Sequence, residues 1–80
     1  MKSSPLAFLR RSAPSQLTQA DVAARLKKLG FGRTQAWVSA FEKGFYRETP
    51  GEVIAGYARV IGLPVLAVRR ALAKTLRARK

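Results

Sequence analysis

Helix punctuation constrains this chain more than any other feature of its sequence. Thr18 with Asp21, Thr34, and Thr49 with Pro50 and Glu52 each stand where a helix would begin, and Gly30, Gly44 and Gly62 stand where each would stop. A threonine oxygen accepts a hydrogen bond from the free amides of a first helical turn, and an acidic side chain three residues on accepts one from the cap's own amide. Glycine ends the helix because it enters the left-handed conformation without steric cost. Signals at this spacing leave room for short helices and for little else.

Hydrophobic spacing fills in the segments between these signals. Pro5 opens a first helix through Leu6, Phe8 and Leu9 that ends before Pro14, and residues 12–16 form a loop. A second helix begins at Gln19, with Leu17 and Val22 placed as a hydrophobic staple and Val22, Leu26 and Leu29 on one face. Arg25, Lys27 and Lys28 fall outside that stripe, and residues 30–33 form a turn. Thr34 caps a third helix, residues 35 to about 43, whose buried face is Val38 and Phe41. After a loop over residues 45–48, the spacing predicts a fourth helix capped by Thr49, with Pro50 at its first position and Glu52 at its third. Val53, Ile54, Tyr57, Ala58 and Ile61 supply its apolar faces.

Pro64 opens a last helix, residues 64 to about 78, carrying Val65, Val68, Leu72 and Leu76, with Arg69, Arg70, Lys74, Arg77, Arg79 and Lys80 toward its end. Its apolar residues close the core over the fourth helix, form a dimer seam, or do both if the helix has two apolar edges. The expectation is an all-α fold of five helices in a single domain spanning residues 1–80.

Composition removes several classes of function. With no cysteine and no histidine, disulfides, thiol nucleophiles, the usual zinc ligands and imidazole acid–base chemistry are excluded. Asp21, Glu42, Glu48 and Glu52 are the only acidic side chains and lie far apart in sequence, so neither a carboxylate pair nor a divalent-metal site is expected. The expectation is a non-enzyme with no cofactor, metal or small-molecule ligand. Sixteen Lys and Arg against four Asp and Glu give a net charge of +12, which points to a polyanionic partner. Nucleic acid comes first and an anionic membrane surface second. No apolar run approaches the length of a membrane span, and Arg10 and Arg11 interrupt the N-terminal stretch where a signal sequence would continue. A soluble, intracellular protein is expected.

A glutamine in the first turn of the third helix carries chemistry of its own. The amide of Gln35 can bond adenine N6 and N7 together in a major groove. Arg33 and Thr34 just before that helix can touch a phosphate or a base edge. Lys43, Arg47, Lys27 and Lys28 suit contacts with the DNA backbone.

The run Leu17, Thr18, Gln19, Ala20, Asp21, Val22, Ala23, followed by Gln35, Val38, Phe41, Glu42, Lys43 and Gly44, resembles the lambda-repressor and Cro-like (XRE) helix-turn-helix family over about half the chain. The connection between the two motif helices is about five residues longer than in the phage repressors and is similar to the extended turn of POU-specific domains. The resemblance implies a helix-turn-helix over residues 18–44, formed by helices two and three. It implies double-stranded DNA as partner, a pseudo-palindromic operator and a homodimer bound to it. Gln35, Ala36 and Ala40 then face bases, with small Ser39 beside them and Arg33 adding to the readout. Gln19 contacts the phosphate backbone and braces Gln35. Glu42, otherwise a surface charge, pairs with an arginine of the first helix, Arg10 or Arg11, although their spacing to Gln19 departs from the family's. Trp37 faces either the DNA backbone or the extended turn, and packing near Phe31 is the favoured placement.

Two other functions compete with a repressor. An antitoxin or accessory phage protein would bind a protein partner as well as DNA, although the chain has no long disordered tail of the kind that wraps a toxin. A membrane-surface protein would lay its cationic, apolar last helix on anionic lipid.

Overall fold

The cap at Thr18 forms in full. Its hydroxyl accepts from the Asp21 amide at 3.1 Å, and the Asp21 carboxylate accepts from the Thr18 amide at 3.2 Å. These bonds stabilise the ionised form and hold the Asp21 carboxyl below its ordinary range, the backbone amide contributing most. The computed structural model describes residues 4–78. Five helices follow in order: α1 Pro5–Ser12, α2 Gln19–Lys28, α3 Gln35–Glu42, α4 Gly51–Ile61 and α5 Val65–Ala78. No strand occurs among the described residues, and Arg79 and Lys80, expected near the end of α5, lie outside them.

Thr34 caps α3 as expected, accepting from the Trp37 amide at 3.1 Å. Thr49 does not cap α4. The helix starts one residue later than expected, at Gly51, with Pro50 as its cap in an extended conformation (ψ 137°) and with no side-chain bond. This shift places Glu52 second rather than third, and the Thr49 hydroxyl is buried without a hydrogen-bond partner. The three glycine stops share one device, and at Gly30 (φ 93°) the Phe31 amide reaches back to the Leu26 carbonyl at 3.0 Å. The Phe45 amide reaches back to the Ala40 carbonyl at 3.0 Å and the Leu63 amide to the Ala58 carbonyl at 3.0 Å, across Gly44 (φ 82°) and Gly62 (φ 80°). A six-residue closure of this kind needs a left-handed residue at the turn, which glycine supplies.

The helices pack pairwise, α2 on α3 and α4, α5 on α1 and α4, and α1 on α3, with a radius of gyration of 11.2 Å. Between α4 and α5 the chain bends by 112°. Leu6, Val22, Leu26, Val38, Phe41, Tyr57, Ala58, Ile61 and Val68 form the centre of the core. On α5 the buried stripe is Val68, Ala71, Leu72 and Thr75, so this helix closes the core, while Val65 and Leu66 stay exposed. Among the described residues no single helix is long and apolar enough to cross a membrane.

The contrast between the two threonines is directly measurable. In urea unfolding, Thr18→Ala should cost about 1 kcal/mol, the usual worth of a capping side chain. Thr49→Ala should leave stability within about 0.5 kcal/mol, because its hydroxyl caps nothing.

Candidate nucleic-acid interface

Helical phase sets which α3 residues face outward. With 3.6 residues per turn, Val38, Phe41 and Glu42 turn inward and are buried. Gln35, Ala36 and Lys43 are exposed, and Ser39 and Ala40 are half-buried on the same outward stripe. At the start of α3 the amides of Thr34's neighbours Gln35 and Ala36 precede the first internal bonds of the helix, so donors face outward there. The Gln35 amide side chain makes no hydrogen bond among the described residues.

Behind this stripe, Glu42 ties α3 to α1, α2 and α4. Its carboxylate accepts from Arg10 twice, Nε to Oε2 at 2.7 Å and Nη2 to Oε1 at 3.1 Å. It also accepts from the Tyr57 hydroxyl at 2.6 Å and from Gln19 Nε2 at 3.0 Å. Arg10 Nη1 donates in addition to the Leu17 carbonyl at 2.8 Å. The first helix therefore supplies Arg10, not Arg11, to a pair that forms despite its unusual spacing. Arg10 lies one turn beyond buried Leu6 on the inner face of α1, whereas Arg11 is exposed. Glu42 is 1% exposed, so it is no surface charge. The bond to Glu42 raises the Arg10 guanidinium above its ordinary range, which keeps it charged. Burial, and then the Glu42 charge, push the Tyr57 hydroxyl far above an ordinary tyrosine.

Gln19 sits half-buried at the first position of α2 with its amide tied to Glu42, rather than bonded to Gln35. Glu42 is the last residue of α3 and Gln35 the first, about 10 Å apart along the axis. Gln19 braces the end of α3 and not the turn that holds Gln35.

Trp37 also departs from its favoured placement. Its ring stacks on Phe41 at 4.9 Å and on Tyr46 at 5.8 Å, and the Arg33 guanidinium lies 5.2 Å above it. Phe31 lies instead across Gly56, where an added Cβ would meet its ring at 2.6 Å. Trp37 thus meets the turn through Arg33 and not through the Phe31 ring. Arg33 is fixed twice, by the ring beneath it and by an Nη1 bond to the Phe31 carbonyl at 3.0 Å, while its buried Nε has no partner. Lys27, Lys28, Lys43 and Arg47 are exposed, as backbone-contacting cations would be, and Thr34 is exposed although its hydroxyl serves the cap.

Sequence reasoning missed the hydroxyl of Tyr57. The available signal was a tyrosine within the apolar stripe of α4, since a buried phenol needs a partner, together with an acid beside Phe41 on a buried face. No family model, curated protein or solved structure matches the chain.

Two measurements test the Glu42 cluster. Glu42→Gln should cost about 3–5 kcal/mol in urea unfolding, because it leaves the Arg10 charge buried without its counter-ion. Tyr57→Phe should cost about 1.5–3 kcal/mol, the worth of a bond to a charged acceptor. Tyrosine in the unfolded chain ionises near its ordinary value of 10.0, and Tyr57 in the folded chain ionises well above it. Its stabilisation is therefore complete below that pH and declines above it, by about 1.4 kcal/mol per pH unit. Unfolding midpoints of the parent and Tyr57→Phe proteins should converge as the pH is raised through that range.

Proposed function

We propose that this chain is a sequence-specific double-stranded DNA-binding regulator of the Cro or repressor kind, with α2 and α3 as its helix-turn-helix. In this reading α3 enters the major groove of a pseudo-palindromic operator bound by two copies, and repression follows from occlusion of the polymerase. The observation that carries it is the Gln35 side chain, exposed, unbonded and in the first turn of a helix whose opposite face is locked into the core. An amide so placed can make the paired bond to an adenine edge.

Charge supports the same reading. The Arg10–Glu42 pair cancels internally, so the excess of +12 belongs to the remainder of the chain. Arg33 adds a guanidinium held in place beside the start of α3, suited to a phosphate or a guanine edge. Ala36, Ser39 and Ala40 offer little hydrogen bonding, so Gln35 and Arg33 carry most of the base discrimination and DNA shape supplies the rest. A lipid-surface role is less well served, because the apolar stripe of α5 is spent on α1 and α4.

The test is a titration of a selected duplex and a random one across salt concentrations. Affinity for both should fall linearly with salt on logarithmic axes. Gln35→Ala should lower the ratio of selected to random affinity about ten-fold or more while leaving the salt slope unchanged. Lys43→Ala or Arg47→Ala should weaken both duplexes equally and reduce the slope by about one. Equal losses on both duplexes with Gln35→Ala would remove base readout from α3.

A further inference from the structure

The long connection between α2 and α3 does more than join them. Phe31 folds against α4, over Gly56, and Leu29 beside it is 39% exposed. Two grooves result. One, of about 230 Å³, is lined by Arg25, Lys28, Leu29, Arg59 and Val60. The other, of about 290 Å³, is lined by Leu29, Phe31, Glu52, Ala55, Gly56 and Arg59. The two adjoin at Leu29 and Arg59 as a shallow trough, with Arg25 and Lys28 on one side, Glu52 on the other and Arg59 between them.

We infer that this trough is a docking surface for an acidic amphipathic segment of a partner protein, with the partner's apolar side chain on Leu29 and Val60 and its carboxylates on Arg25, Lys28 and Arg59. The cations stand in the last turns of α2 and α4, where they suit the helix dipoles. That accounts for their charge and leaves unexplained why they surround exposed apolar surface. Duplex DNA is the poorer fit, because a phosphodiester backbone gains nothing from Leu29 and Val60. Lys28 also lies about 13 Å along α2 from Gln19, at the far end of that helix from the Glu42 cluster. The inference stands whether or not α3 reads DNA.

The test uses the full chain and a fluorescein-labelled helical peptide that presents two glutamates one turn apart beside a leucine. Two control peptides carry lysine for glutamate and serine for leucine. Fluorescence anisotropy should show binding of the first peptide and at least about ten-fold weaker binding of each control. Arg25→Gln combined with Arg59→Gln should weaken the first peptide by about ten-fold, and so should Leu29→Asn, which leaves the net charge unchanged. Leu29→Asn should bind a random duplex as the parent does, and circular dichroism should show both variants folded. No binding of the first peptide, equal binding of the serine control, or parent-like binding by Leu29→Asn would overturn the inference. A duplex that displaces the peptide and weakens equally in the arginine double variant would overturn it as well, and would assign Arg25 and Arg59 to the DNA backbone instead.

Discussion

The carboxylate of Glu42 is the point on which the other elements depend. Burying an ion pair costs desolvation that attraction alone repays poorly, so such a pair is weak evidence of net stability. Here the cost is met by saturation, since both oxygens accept two donors each, from α1, α2 and α4. Arg10 spends a further donor on the Leu17 carbonyl just ahead of α2. The cluster therefore does what apolar packing alone does poorly, fixing one register among four elements by directional bonds. The end of α3 is tied to the start of α2 from inside the protein, and the outward stripe of α3 inherits that orientation.

The helical boundaries were largely legible because the groups that set them lie within a few residues of one another. Thr18, Thr34, Gly44 and Gly62 act on their own turns, and no distant residue competes with them. Thr49 shows where that legibility ends. Threonine and Pro50 each favour a helix start, and the sequence does not show which holds the cap position. The structure gives it to Pro50, which has no side-chain acceptor to contribute. The choice between Arg10 and Arg11 turns on helical phase relative to Leu6, which is written in the sequence. The role of Tyr57 needs knowledge that α4 packs beside the end of α3. Trp37 was illegible for a similar reason, because its neighbour Tyr46 arrives from a loop with no periodicity to predict its path.

The candidate interface divides along the same line. Exposure of Gln35, Lys43 and Arg47 follows from position on a helix or in a loop, and sequence spacing conveys it. The fixing of Arg33 by a ring and a carbonyl, and the diversion of Gln19 to Glu42, depend on contacts that only the folded chain creates. The enlarged turn belongs with these, since it is visible as extra length but its packing on Gly56 is not.

Local capping and glycine closures also bear on how quickly the chain reaches this arrangement. Each boundary is specified by residues no more than six positions apart, so helical turns can form before any helix meets another. Chains dominated by such near-neighbour contacts fold in roughly microseconds to milliseconds, well ahead of sheet proteins of similar size. What remains for the slower part of the search is the arrival of Arg10 and Tyr57 at one carboxylate from opposite sides in sequence. The partners of Glu42 lie 32 and 15 positions from it, so its cluster closes only once α1 and α4 have both met α3.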